Sequence, residues 1–151
     1  MREIGAALPI FCAEDRETLE AILAAALEMG KKIGVDNLPI VPAWTSRYPP
    51  RGQARLLTAC GNPVLGTKVM LSDLALFMDE TSPYRNLRVL PHLDHGIPWL
   101  DEDVMIGFYS QFASIMCDAS EKPFAENIRL TLDRSICRKS QRKGSGRRSG
   151  G

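Results

Sequence analysis

The chain has 151 residues, a formal net charge of +1, 44% apolar residues and 25% charged residues. That length is enough for one domain with a core, and the composition is ordinary for a soluble globular protein. The sequence holds no apolar run of about 18 residues or more, which excludes a membrane-spanning helix. The apolar stretch after residues 1–5 is too short for a signal peptide, so a cytoplasmic location is expected.

The charge is unevenly spread. Arg138, Lys139, Arg142, Lys143, Arg147 and Arg148 give residues 138–151 six positive charges and no acid, so the rest of the chain, with 13 basic and 18 acidic residues, carries −5. From Ser140 onward there is no apolar residue. Such a segment cannot bury surface and is expected to be disordered. The chain therefore divides into a body, residues 1–137, and a basic tail, residues 138–151. Cys12, Cys60, Cys117 and Cys137 form no CxxC pair and read as buried or incidental thiols of a reducing compartment.

In chain order, residues 6–12 are short and apolar and fit a first strand. Asp15 can cap a helix whose apolar face is Leu19, Ile22, Leu23, Ala26 and Leu27, with Gly30 as its stop. Residues 38–44 are a second candidate strand, although Pro39 and Pro42 each remove a ladder donor. Residues 45–52, with Pro49 and Pro50, read as a loop, residues 53–60 as a helix or an irregular connection, and residues 61–67 as a turn. Residues 69–78 have helical spacing, with Ser72 and Asp73 early in that helix. Residues 87–93 are the third strand, residues 100–110 a helix opened by Asp101, Glu102 and Asp103, and residues 113–117 the fourth strand. Pro123 opens a last helix with Phe124, Ile128 and Leu132 on one face. Four strand–helix pairs in alternation imply an α/β fold with a parallel sheet and right-handed crossovers.

Both histidines stand at the end of the third strand, in His92-Leu93-Asp94-His95-Gly96. A neutral imidazole binds zinc well, and an adjacent carboxylate can move a proton. Alternation places His92 and Asp94 on one face and His95 elsewhere, so one histidine is expected to be structural. The fourth strand also ends in an aspartate, Asp118. Polar groups at the C-terminal ends of parallel strands are what a barrel uses to build a site.

The block Val89-Leu90-Pro91-His92-Leu93-Asp94-His95-Gly96, followed by Ser114-Ile115-Met116-Cys117-Asp118-Ala119-Ser120 and then Pro123-Phe124-Ala125-Glu126-Asn127-Ile128, resembles the class II fructose-bisphosphate/tagatose-bisphosphate aldolase family. Ile10-Phe11 and the stretch 17–23 are similar to the family's start, and the resemblance covers residues 6–132. It departs at Cys12, where many members have asparagine, and in residues 45–85.

The resemblance implies a zinc-dependent (β/α)8 TIM barrel of carbohydrate metabolism and glycolysis, cleaving a ketose bisphosphate to dihydroxyacetone phosphate and an aldehyde. By motif position it implies Asp94 as the catalytic acid/base at the C4 hydroxyl, His95 as a zinc ligand, and Asp118 beside the metal. The substrate would be a sugar phosphate, and a homo-oligomer is compatible with the family.

A full barrel needs about 250 residues, whereas this sequence holds four units and no histidine after His95. The expectation is a half barrel, the N-terminal half of the family's fold, inactive as a catalyst by itself. Read in a shifted frame, the codons permitted for residues 133–151 continue the last helix and reach a fifth strand of the family's type. The tail is therefore expected to be out-of-frame text. The alternatives are a non-enzymatic half barrel that assembles with a partner and, less favoured, a tail that binds nucleic acid.

Overall fold

The structure, a computed structural model, describes residues 7–133. The basic tail, its out-of-frame reading and the nucleic-acid alternative lie outside those residues. The chain divides into two compact units, residues 1–116 and 117–151.

The first unit is a parallel sheet wrapped by helices. Strand β1 (Ile10–Cys12) leads to helix α1 (Arg16–Ile33), then β2 (Pro39–Thr45), α2 (Gln53–Leu56), α3 (Pro63–Phe77), β3 (Arg88–Val89), β4 (His92–Gly96), α4 (Glu102–Gly107) and β5 (Ser114–Cys117). The sheet order is β1-β2-β4-β5, with β3 also paired to β2. The registers of β1, β3 and β4 on β2 are all parallel. The expected α/β alternation is therefore present as a partial barrel-like sheet that does not close.

Helix α1 starts where its capping residue stands. The Thr18 N–H donates to Asp15 Oδ1 at 2.8 Å, and the Thr18 hydroxyl accepts from the Asp15 N–H at 2.9 Å, a reciprocal capping box. The helix buries Leu19, Leu23, Ala26 and Gly30 and packs on β2 and α3. It runs through Gly30, contrary to the expected stop, and ends at Gly34, whose φ of +72° is the left-handed cap that glycine accommodates. Gly30 serves close approach instead: a Cβ there would lie 2.5 Å from the Val35 carbonyl oxygen.

Strand β2 is the centre of the sheet and is buried along almost its whole length. Both prolines lie inside it. Pro39 is its first residue, and Pro42 pairs with Phe11 one residue before the ladder to β4 begins at Ala43. The missing donor thus falls where β4 has no partner for it.

Three expectations change in extent. The turn expected over residues 61–67 is the start of α3, because Asn62 accepts from the Leu65 N–H at 3.1 Å and Pro63 fits the first helical turn. Asp73 accordingly lies late in that helix. The strand expected over residues 87–93 is interrupted at Leu90 and Pro91, giving β3 and β4 separately. The helix expected over residues 100–110 is only six residues long; the chain turns through 108–111 before β5.

In the second unit Pro123 precedes helix α5, residues 124–133. Arg129 reaches Asp133 at 3.2 Å along it.

Candidate functional site

The register explains which side chains meet. Cys12 pairs with Ala43, Ala43 with His92, and Thr45 with Asp94. Since side chains alternate along a strand, Cys12, Ala43, Thr45, His92 and Asp94 share one face of the sheet. Trp44 and Leu93, paired on the opposite face, are fully buried, with Trp44 tilted against Phe112 at 5.4 Å. The expectation that His92 and Asp94 share a face therefore agrees with the register.

Ala43 is small, and on that face Cys12 of β1 reaches diagonally across β2 to Asp94 of β4. The Cys12 thiol donates to Asp94 Oδ2 at 3.9 Å. Burial and the Asp94 carboxylate push that thiol above its ordinary value, so it stays protonated and donates rather than attacks. His92 Nδ1 lies 2.7 Å from the Ser114 hydroxyl of β5. Burial pulls the His92 imidazole below its ordinary value, which keeps it neutral. His92 thus ties β4 to β5, the structural role expected of one of the two histidines.

His95 follows the last residue of β4 paired with β2. Its φ is +46°, and it is the only non-glycine residue with positive φ among the described residues. A left-handed residue does not continue strand alternation and costs about 1 kcal/mol. The ring lies flat on Tyr48, with centroids 4.1 Å apart and planes 12° from parallel. Gly96 then allows β5 to approach: a Cβ at Gly96 would lie 3.0 Å from the Met116 carbonyl oxygen.

The connections that frame this end of the sheet are pinned by charge. Arg47, just after β2, donates to the Leu100 carbonyl at 2.7 Å and to Asp103 through both terminal nitrogens, at 2.6 and 2.7 Å. It also faces the fully buried Asp101 at 3.4 Å. Asp101 Oδ2 accepts the Ile97 N–H at 3.0 Å, so the turn after His95 is held from within. The hydrogen bond from Arg47 holds the Asp103 carboxyl below its ordinary value. On the β1 side Arg51 pairs with Glu14, and the Thr45 N–H donates to Gln53 Oε1 at 2.8 Å.

Asp118 belongs to the second unit. It is buried and accepts from the Ser120 N–H at 3.0 Å and the Ser120 hydroxyl at 2.6 Å. Of the three site residues expected from sequence, Asp94 and His95 thus stand together at the end of β4, and Asp118 sits in a local turn of its own unit.

A catalytic zinc takes three protein donors and one open position. Among the described residues no three His, Cys, Asp or Glu side chains converge closely enough to hold a metal ion. His92, the second imidazole nearby, is engaged with Ser114. The donors among the described residues do not make up a zinc centre.

Sequence reasoning missed Arg47, Tyr48 and Asp101. Arg47-Tyr48-Pro49-Pro50 reads as plain loop, and its one signal is a charged and an aromatic residue placed directly after a strand's C-terminal end.

A family model described as fructose-bisphosphate aldolase class-II matches residues 1–141. Neither the curated proteins nor the solved structures gave a match.

Proposed function

The chain belongs to the fructose-bisphosphate aldolase class-II family, and from that premise we propose that it takes part in the cleavage of a ketose bisphosphate, fructose or tagatose bisphosphate, to dihydroxyacetone phosphate and an aldehyde. Asp94 is the acid/base. Its carboxylate takes the proton of the C4 hydroxyl, the C3–C4 bond opens, C4 becomes the aldehyde carbonyl, and the electron pair stays on the dihydroxyacetone phosphate fragment. The observation that carries this reading is the position of Asp94. It is the last residue of β4 paired with β2, it is part-exposed, and the Cys12 thiol donates to it. Among the described residues no helix is long and apolar enough to cross a membrane; the cytoplasmic setting of this reading rests on the family assignment.

The family is typically zinc-dependent, and the described residues lack the donors for that metal. This chain's share of the chemistry is therefore the proton transfer, with further donors contributed from outside the described residues. The test is to assay the 151-residue chain in zinc buffer, alone and co-expressed with the later four strand–helix units of a class II family member. The reading expects no turnover alone and turnover of either bisphosphate by the pair. Turnover by the chain alone contradicts the need for further donors, and a co-purifying pair without turnover contradicts the aldolase role.

A second reading, a non-enzymatic half barrel that assembles with a second copy, is favoured by edge strand β1, where Ile10 and Phe11 are 52% and 42% exposed. Size-exclusion chromatography separates the readings: a chain that stays monomeric at high concentration removes this one.

A further inference from the structure

His95 combines two features that need explaining together, a left-handed backbone and a ring stacked flat on Tyr48. The left-handed turn releases the side chain from the alternation that would send it to the face of Trp44 and Leu93. Nothing in that backbone conformation alone fixes where the ring then lies. The Tyr48 ring sets its plane: a near-parallel stack holds the imidazole flat against the phenol ring and covers a face of it. Both ring nitrogens lie in the edge, which a face stack leaves in place for polar chemistry.

Tyr48 is itself fixed from both sides. The residue before it, Arg47, is held by the Leu100 carbonyl, Asp101 and Asp103. The residues after it, Pro49 and Pro50, restrict the backbone and disfavour the helical region at Tyr48. Arg47 is anchored to the connection that leaves β4, so the loop carrying Tyr48 and the strand end carrying His95 are tied to each other.

From this geometry we infer that Tyr48 is a positioning residue: its ring holds the plane of the His95 imidazole, next in sequence to Asp94. The stack itself stands without the aldolase reading; its consequence for turnover rests on that reading. A flat ring also predicts which replacement works. Phenylalanine supplies the same face, whereas leucine fills the volume without one.

The experiment has two arms. The first is nuclear magnetic resonance on the 151-residue chain, whose two histidines are told apart by His95→Gln. The wild type shows a cross-relaxation contact between the Tyr48 and His95 ring protons. Tyr48→Leu moves the His95 ring signals downfield, because the shielding of the stacked ring is lost, and Tyr48→Phe leaves them near their wild-type positions. The second arm is turnover by the co-expressed pair. Tyr48→Leu lowers kcat about tenfold with KM little changed, and Tyr48→Phe restores it, as loss of orientation rather than of binding requires. Absence of the ring contact in the wild type, His95 signals unmoved by Tyr48→Leu, or a kcat unmoved by Tyr48→Leu each overturn the inference. A pair with no turnover overturns the aldolase reading instead, and the resonance arm, which needs no activity, then decides the inference. A Tyr48→Leu chain that does not fold leaves the wild-type contact as the deciding result.

Discussion

The Cys12 thiol donates to Asp94 Oδ2 at 3.9 Å although β2 lies between their two strands. The contact runs diagonally across β2: Cys12 pairs with the small Ala43, whereas Asp94 pairs with Thr45 two residues on. Position 12 thus bears on the carboxylate proposed as the acid/base, at the point where this sequence departs from the asparagine of the family it resembles.

Cys12 is expected to alkylate slowly although it is exposed. Burial and Asp94 raise its thiol above the ordinary value of 9.0, whereas at Cys60 a hydrogen bond with the Thr58 hydroxyl lowers it. Because the thiolate is the nucleophile, iodoacetamide labelling followed by mass spectrometry reaches half-maximal rate at higher pH for Cys12 than for Cys60. Asp94→Asn speeds labelling of Cys12 and leaves Cys60 unchanged. Equal rates at both thiols would show that the carboxylate does not act on Cys12.

Arg47→Ala removes the guanidinium facing a fully buried carboxylate, Asp101. The Ile97 N–H still donates to Asp101, so the loss is partial, about 2 kcal/mol in urea unfolding. Asp103→Asn is expected to cost well under 1 kcal/mol, because the Asp103 side chain is 50% exposed and water screens the pair. An Arg47→Ala chain as stable as wild type would mean that the clamp contributes nothing.

The elements that sequence reading placed correctly are those whose signals are local. Asp15 caps α1 and its apolar stripe faces β2; the alternation of β4 places His92 with Asp94. The misplaced elements depend on contacts distant in sequence. Gly30 looks like a helix stop, but α1 needs it for the approach of the Val35 carbonyl. The Gly61–Pro63 cluster looks like a turn, and it is also the capping sequence of a fifteen-residue helix. At the candidate site, Asp94 and His95 are named from their motif. The stack of Tyr48 on His95 and the reach of Arg47 to Asp101 are not, because they join residues 47 and 54 positions apart and no local pattern encodes such pairs.

Two glycines separate backbone strain from close packing. A Cβ at Gly66 would lie 1.7 Å from the Ala54 carbonyl oxygen, which holds α3 against α2, whereas Gly34 has open space around it and a φ of +72°. Gly34→Ala is expected to cost about 1 kcal/mol from the left-handed backbone alone. Gly66→Ala is expected to cost about 3 kcal/mol or more, since a backbone oxygen must move. Denaturant midpoints of the two variants check the order, and the reverse order would contradict the packing of α2 on α3.

His92 makes stability depend on pH. Its imidazole is held below the ordinary value of 6.5 by burial, so the unfolded chain takes up a proton at higher pH than the folded one. The folded state is therefore unpenalised above about pH 6.5 and loses stability as pH falls from there. Thermal melts from pH 7.5 down to 5.5 show a falling midpoint in the wild type and a flatter one in His92→Asn. Parallel curves would place the titrating group elsewhere.

If Asp94 moves the proton in ketose bisphosphate cleavage, Asp94→Asn lowers kcat of the co-expressed pair. The amide keeps the shape of the carboxylate and cannot act as a base. A fall of about a thousandfold, with the pair still assembled, is the predicted result. Turnover at the wild-type rate would contradict the assignment of Asp94 as the acid/base.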